Sequence, residues 1–175
     1  MVDLSKDISD FIGKIYKTNY EKDGVLRKTK AITFHKKFNC FEITGTHEVE
    51  GDGSGHSGVH SYYVRYDDFL PIIRDLMNSN EADFSVKGIY TAFNNNWSHR
   101  ETHSYTGEIL SDIDEISITI SEGNIKGRLK LNDMLFDKFS IGMYAKKELY
   151  SGKGEVSKMD ARFDIENKIL SEYFS

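Results

Sequence analysis

Four of the six histidines form two pairs of equal spacing, His56 with His60 and His99 with His103. If Ser98 to Thr106 is extended, alternation puts His99, Glu101, His103 and Tyr105 on one face and Arg100, Thr102 and Ser104 on the other. Two imidazoles beside a carboxylate suit acid–base chemistry, because histidine changes charge near neutral pH. Cleavage of an RNA phosphodiester needs a base for the 2′-hydroxyl, an acid for the leaving oxygen and a cation at the phosphate. His99, Glu101 and His103, with Tyr105 or Arg100 near the phosphate, supply those roles in a metal-independent ribonuclease or phosphodiesterase. Histidine and glutamate are also good metal ligands, and His47, His56 or His60 completes such a set if the intervening glycine loop folds over it. No paired Cys-x-x-Cys and no helical His-Glu-x-x-His occurs, so no metal residue is assigned and no cofactor is expected.

The elements that position these residues read as mostly strands. Leu4, Ile8, Phe11, Ile12 and Ile15 have helical spacing, with Gly13 expected to end or bend the helix and Ile15 to Tyr20 to run extended. Lys30 to Phe34 and Phe41 to Val49 carry the β-branched and aromatic residues of strands. Gly51 to Gly58 reads as a hairpin loop before Val59 to Tyr66, and pairing Glu50 with Val59 sets His47 opposite Tyr62 and Gly45 opposite Val64. Asp67 and Asp68 precede an apolar stripe from Phe69 to Leu76, which predicts a capped middle helix over about 67–79 with Pro71 in its first turn. Further strands are expected at Phe84 to Phe93, Ser98 to Thr106, Ile113 to Ile120, Ile125 to Leu131 and Phe136 to Leu149. Asn94-Asn95-Asn96 and Glu122-Gly123-Asn124 are read as turns between them. Phe163, Ile169, Leu170, Tyr173 and Phe174 mark a C-terminal helix.

The expected plan is α+β and mainly β: a curved antiparallel sheet or partial barrel of about eight or nine strands, with an N-terminal, a middle and a C-terminal helix. Residues Phe11 to Tyr16 resemble the first-strand signature of lipocalin-like barrels, in which a glycine is followed two residues later by tryptophan; here Ile15 stands at that place. The His-Glu-His constellation resembles the Glu and His sites of small β-sheet ribonucleases.

The 175 residues make one domain of ordinary size, and a single cysteine, Cys40, closes no intrachain disulfide. With no signal-like leader and no apolar run of membrane-spanning length, a cytoplasmic protein without a membrane role is expected. The glycine loop lacks the order of a phosphate-binding loop, and no Gly-x-Ser-x-Gly elbow occurs, which removes nucleotide cradles and serine hydrolases from consideration.

Charge is distributed in blocks around a formal net of −5. Nine Lys or Arg face five Asp or Glu from Met1 to Cys40, whereas two face nine from Phe41 to Asp83. Asp112, Asp114 and Glu115 belong to a second acidic stretch, Glu108 to Glu122. Acidic blocks steer basic partners, and tyrosine and tryptophan dominate binding hot spots. Trp97 beside the Asn-rich turn, Tyr62, Tyr63 and the acids Asp112, Asp114 and Glu115 therefore form the expected partner surface. The leading expectation is a non-enzymatic binding or inhibitor protein of immunity or phage counter-defence type, engaging a protein or nucleoprotein; RNA is the alternative partner. The ribonuclease and a metal- or small-ligand-binding barrel are the alternative functions.

Overall fold

The computed structural model describes residues 3–22, 28–51, 54–97, 100–102, 109–111, 114–143, 147–154 and 158–174. The first helix, α1 (Lys6–Lys22), buries Ile8, Phe11, Ile12 and Ile15 at helical spacing. It runs straight through Gly13, contrary to the expected stop. Gly13 is exposed and meets nothing, so its cost is only the roughly 1 kcal/mol of glycine propensity, and Ile12 and Ile15 on either side are buried. Residues 15–20 are therefore helical, and Phe11 to Tyr16 form no barrel strand of the lipocalin kind.

Strands β1 (Lys28–His35) and β2 (Cys40–Gly51) pair antiparallel across a short 3-10 turn that ends at Asn39 in the left-handed region (φ 49°). The next strand, β3 (Ser54–Arg65), starts five residues before the expected Val59. Ser54 to Gly58 thus belong to the ladder rather than to a loop, and Gly51 pairs with Ser54. The tighter connection moves the register by four residues: Gly45 faces His60, and His47 faces Gly58.

Helix α2 (Tyr66–Ser79) follows directly and matches the expected span. Its N-cap is Arg65 rather than an aspartate, and Asp67 and Asp68 lie in the first turn, where a negative charge favours the helix dipole. Phe69, Ile73 and Leu76 are buried, and Asn80 in the left-handed region closes the helix with its N–H on Leu76 O.

Two long strands carry the centre of the sheet. β4 (Glu81–Trp97) passes through Asn94 to Asn96, and β7 (Asp114–Asn132) passes through Glu122 to Asn124; both expected turns are strand interior. Tertiary pairing overrides the local turn preference, because Asn94, Asn95 and Asn96 pair with Gly58, Ser57 and His56 on one side and with β7 on the other. Between them, β5 (Arg100–Thr102) and β6 (Ile109–Ser111) form a separate ribbon. β8 (Leu135–Met143) and β9 (Lys147–Gly154) share the outer edge of β7, one on each half of its length. Among the described residues the main sheet holds seven strands, ordered β1-β2-β3-β4-β7-β8 with β9 also paired to β7, so it is six strands wide rather than eight or nine, and it curls into a nearly closed barrel. The fold is α+β and mainly antiparallel sheet.

Both faces of the sheet are covered. Phe41, Ile43, Val64, Phe84, Ile125 and Leu129 pack with α1 and α2 into the larger core. On the opposite face Cys40, Tyr63, Ile89 and Ile120 pack with Leu170 of α3 (Lys158–Tyr173). Among the described residues, no helix is long and apolar enough to cross a membrane.

Candidate functional site

Cross-strand pairing determines which side chains share a face. On the face that carries the larger core, one row across the sheet is Ile43, Tyr62, Tyr90 and Ser121, and the next is Gly45, His60, Ala92 and Thr119. Beyond them lies His47, Gly58, Asn94 and Ser117, with His56 and Asn96 at the far end. The face thus changes from an apolar floor, packed by helices, to a polar and aromatic field along the same strands.

Five rings meet in that field. His47 stacks on His60 with centroids 5.5 Å apart, His60 stacks on Tyr90 at 6.0 Å, and Tyr90 meets Tyr62 at 4.8 Å. His56 closes the other end, edge-on to His47 at 5.5 Å. His56 is exposed and the other four are half-buried. Gly58 makes the row possible: a Cβ there would stand 2.5 Å from His47 Cε1 and 2.8 Å from Asn94 Oδ1.

Burial, and then the neighbouring His47, push the His60 imidazole below its ordinary range. Burial, then the Tyr90 hydroxyl, pushes Tyr62 up to about 12, and burial raises Tyr90. Near neutral pH the row is therefore uncharged at His60, Tyr62 and Tyr90. Between a neutral imidazole and a protonated phenol 2.6 Å apart, we assign the Tyr90 hydroxyl as donor to His60 Nδ1, which leaves the ring proton on Nε2. A histidine held low in the folded state loses stability as pH falls below the unfolded value, about 6.5. Chemical denaturation at pH 7.5 and 5.5 is expected to show a drop in wild-type stability that is smaller in His60→Gln.

The row is not a three-histidine chelate. His56 and His60 are four residues apart on one strand, about 13 Å along the backbone, and they reach His47 from opposite ends. Among the described residues, the one group of three or more metal-ligating side chains whose ligand atoms all lie within 4.8 Å is elsewhere: His35, Glu42 and Glu166. It sits on the other face, where Glu42 is 3% exposed. The His35 Nε2–H donates to Glu42 Oε1 at 2.9 Å, and the hydroxyls of Ser61 and Thr44 donate to Oε2 at 2.5 and 2.7 Å. Burial alone would raise this carboxyl; the hydrogen bonds from His35, Ser61 and Thr44 outweigh it and hold the group at about 2. Cys40 beside it is pushed up to about 12 by burial, then by the charges of Glu42 and Glu166, so its thiol is no nucleophile at neutral pH. A cleft of about 380 Å³ lies apart from both clusters, between Gly88, Gly123 and the end of α3 at Tyr173 and Phe174.

The residues expected from sequence are distributed unevenly over these features. Tyr62 belongs to the row. Tyr63 points the other way, is 2% exposed, and donates its hydroxyl to Glu166 Oε2 at 2.9 Å. Trp97 is 3% exposed at the end of β4 and offers no surface anchor, because the Asn-rich segment before it is strand rather than loop. Asp114 and Glu115 pair with Trp97 and Asn96 in the ladder, and Asp112 lies outside the described residues. Of the expected strand Ser98 to Thr106, Arg100, Glu101 and Thr102 form β5, while His99, His103 and Tyr105 lie outside the described residues. Comparison with protein-family models, curated proteins and solved structures finds no match to the chain.

Proposed function

We propose that the protein is a non-enzymatic binding domain that holds a protein partner against the β2–β3–β4 face. The observation that carries this reading is the row of five rings in mutual contact, bounded by Gly45, Gly58 and Asn94. Much of the ring faces of His47, His60 and Tyr90 is used within the row, so what remains for a partner is edges: imidazole nitrogens, phenol oxygens and the Asn94 amide. Such edges hydrogen-bond to peptide and side-chain groups and serve base stacking poorly, which favours a protein over single-stranded RNA. Aromatic anchors held rigid by their neighbours, set among Gly, Ser and Asn, bind with little ordering cost. The acidic excess of the Phe41 to Asp83 segment favours a partner with a basic rim, and within this reading the role we propose is of inhibitor or immunity type, phage counter-defence included.

Gly58→Ala tests the reading, since its Cβ displaces the His47 ring and the Asn94 amide, side-chain groups that can give way, at the expense of the ring contacts, where backbone could not. Its stability cost is expected to be about 1 kcal/mol, with partner affinity at least about tenfold weaker. Affinity capture from cells that produce the protein, followed by binding measurements on the captured partner, reads both. A partner bound equally well by wild type and by Gly58→Ala would sink the proposal.

A further inference from the structure

We propose that His35, Glu42 and Glu166 bind one divalent transition-metal ion of the zinc class, which ties α3 to the sheet. One imidazole nitrogen and two carboxylates come from three elements, β1, β2 and α3, with their ligand atoms within 4.8 Å of one another. This donor set suits zinc and its neighbours in the first transition row. A metal about 2.1 Å from each ligand atom needs them roughly 3.4 Å apart in tetrahedral geometry. His35 and Glu42, 2.9 Å apart across a hydrogen bond, open by roughly 0.5 Å, and Glu166, a half-buried side chain on the covering helix, adjusts to complete the set.

Three further features fit a cation here. Two carboxylates, one of them buried, bring their oxygens within 4.8 Å of each other and of the His35 ring nitrogen, a concentration of acceptor charge that favours a cation. Ser61 and Thr44 hold the second oxygen of Glu42, and Tyr63 holds Glu166, as outer-shell donors orient metal-bound carboxylates. The His35 side chain is 20% exposed, so the cluster is in contact with solvent on the His35 side. On binding, the Nε2–H bond to Glu42 Oε1 breaks, the Nε2 lone pair goes to the ion, and the bound neutral ring carries its one proton on Nδ1, the exchange running through solvent. This site is independent of the ring row, on the opposite face of β2.

Calorimetric titration of chelator-treated protein with Zn²⁺ is expected to show one ion per chain. His35→Gln and Glu166→Gln should each weaken binding by at least about 100-fold, more than the loss of an outer-shell donor causes, while His47→Gln leaves it unchanged. Since a variant can misfold, the wild-type protein supplies a second reading: Co²⁺ should broaden or shift NMR signals of residues 34–36, 41–43 and 165–167 most strongly, with the effect falling off along β3 toward residues 54–56. Absence of stoichiometric Zn²⁺ binding, retention of binding in both folded ligand variants, or Co²⁺ effects centred on the ring row would each overturn the assignment.

Discussion

Glu42→Gln is expected to lower stability by on the order of 3 kcal/mol at neutral pH and to flatten the acid side of the stability profile. The magnitude follows from the carboxyl, which moves from 4.5 to about 2 on folding, each unit corresponding to about 1.4 kcal/mol. A carboxyl depressed in the folded state stabilises fully above its unfolded value. That contribution fades as pH falls from about 5 toward 2, where the folded protein must also take up the proton. Glutamine keeps the size and one acceptor oxygen for Ser61 and Thr44. It loses the charge-assisted bonds and places an amide where His35 now donates. Urea midpoints of both proteins at pH 7, 4 and 3 measure the effect: the gap should be widest at pH 7 and narrow on acidification. A gap that stays constant with pH would mean the carboxylate charge is not what stabilises this part of the fold.

Gly88→Ala is expected to cost about 3 kcal/mol or more, at the upper end of what overpacking does. A Cβ on Gly88 would overlap the Tyr63 carbonyl oxygen, a backbone atom, and would stand 2.5 Å from Ile125 Cδ1, a fully buried side chain. Gly88 pairs with Gly123 on β7 and with Val64 on β3, so the close approach lies at the middle of the sheet, where no strand can swing away. Gly13→Ala meets nothing within 4 Å on the exposed side of α1 and should stabilise by up to about 1 kcal/mol. Thermal denaturation of the two variants side by side separates close packing from glycine propensity: opposite signs are expected. Equal small effects would show that β3 and β4 do not approach as closely as described.

These two glycines also show what the sequence could and could not reveal. Apolar periodicity placed the starts of α1 and α2 and the first strands, because buried faces dictate spacing directly. Punctuation by Gly and Asn misled wherever a long strand had partners on both sides. Gly123 and Asn94 to Asn96 look like turns, but ladder bonds to two neighbours hold them extended. The hairpin register depended on whether Ser54 to Gly58 were loop or strand, and a shift of four residues decides whether His47 meets Tyr62 or sits between His56 and His60. The identity of the ring-row histidines was legible; their assembly was not. Glu42 was hidden more completely, since an acid between Phe41 and Ile43 reads as the solvent side of a half-buried strand. Only the return of α3, more than a hundred residues later, covers it, and nothing local announces that contact.

Site-specific photo-crosslinking most directly tests whether the ring row is the binding face. A benzophenone amino acid in place of exposed His56, introduced in cells that produce the protein, should yield one discrete protein adduct on irradiation. The same group in place of exposed Asp75 on α2 should yield none. An adduct from position 75 with none from position 56, or no adduct from either, would contradict the account.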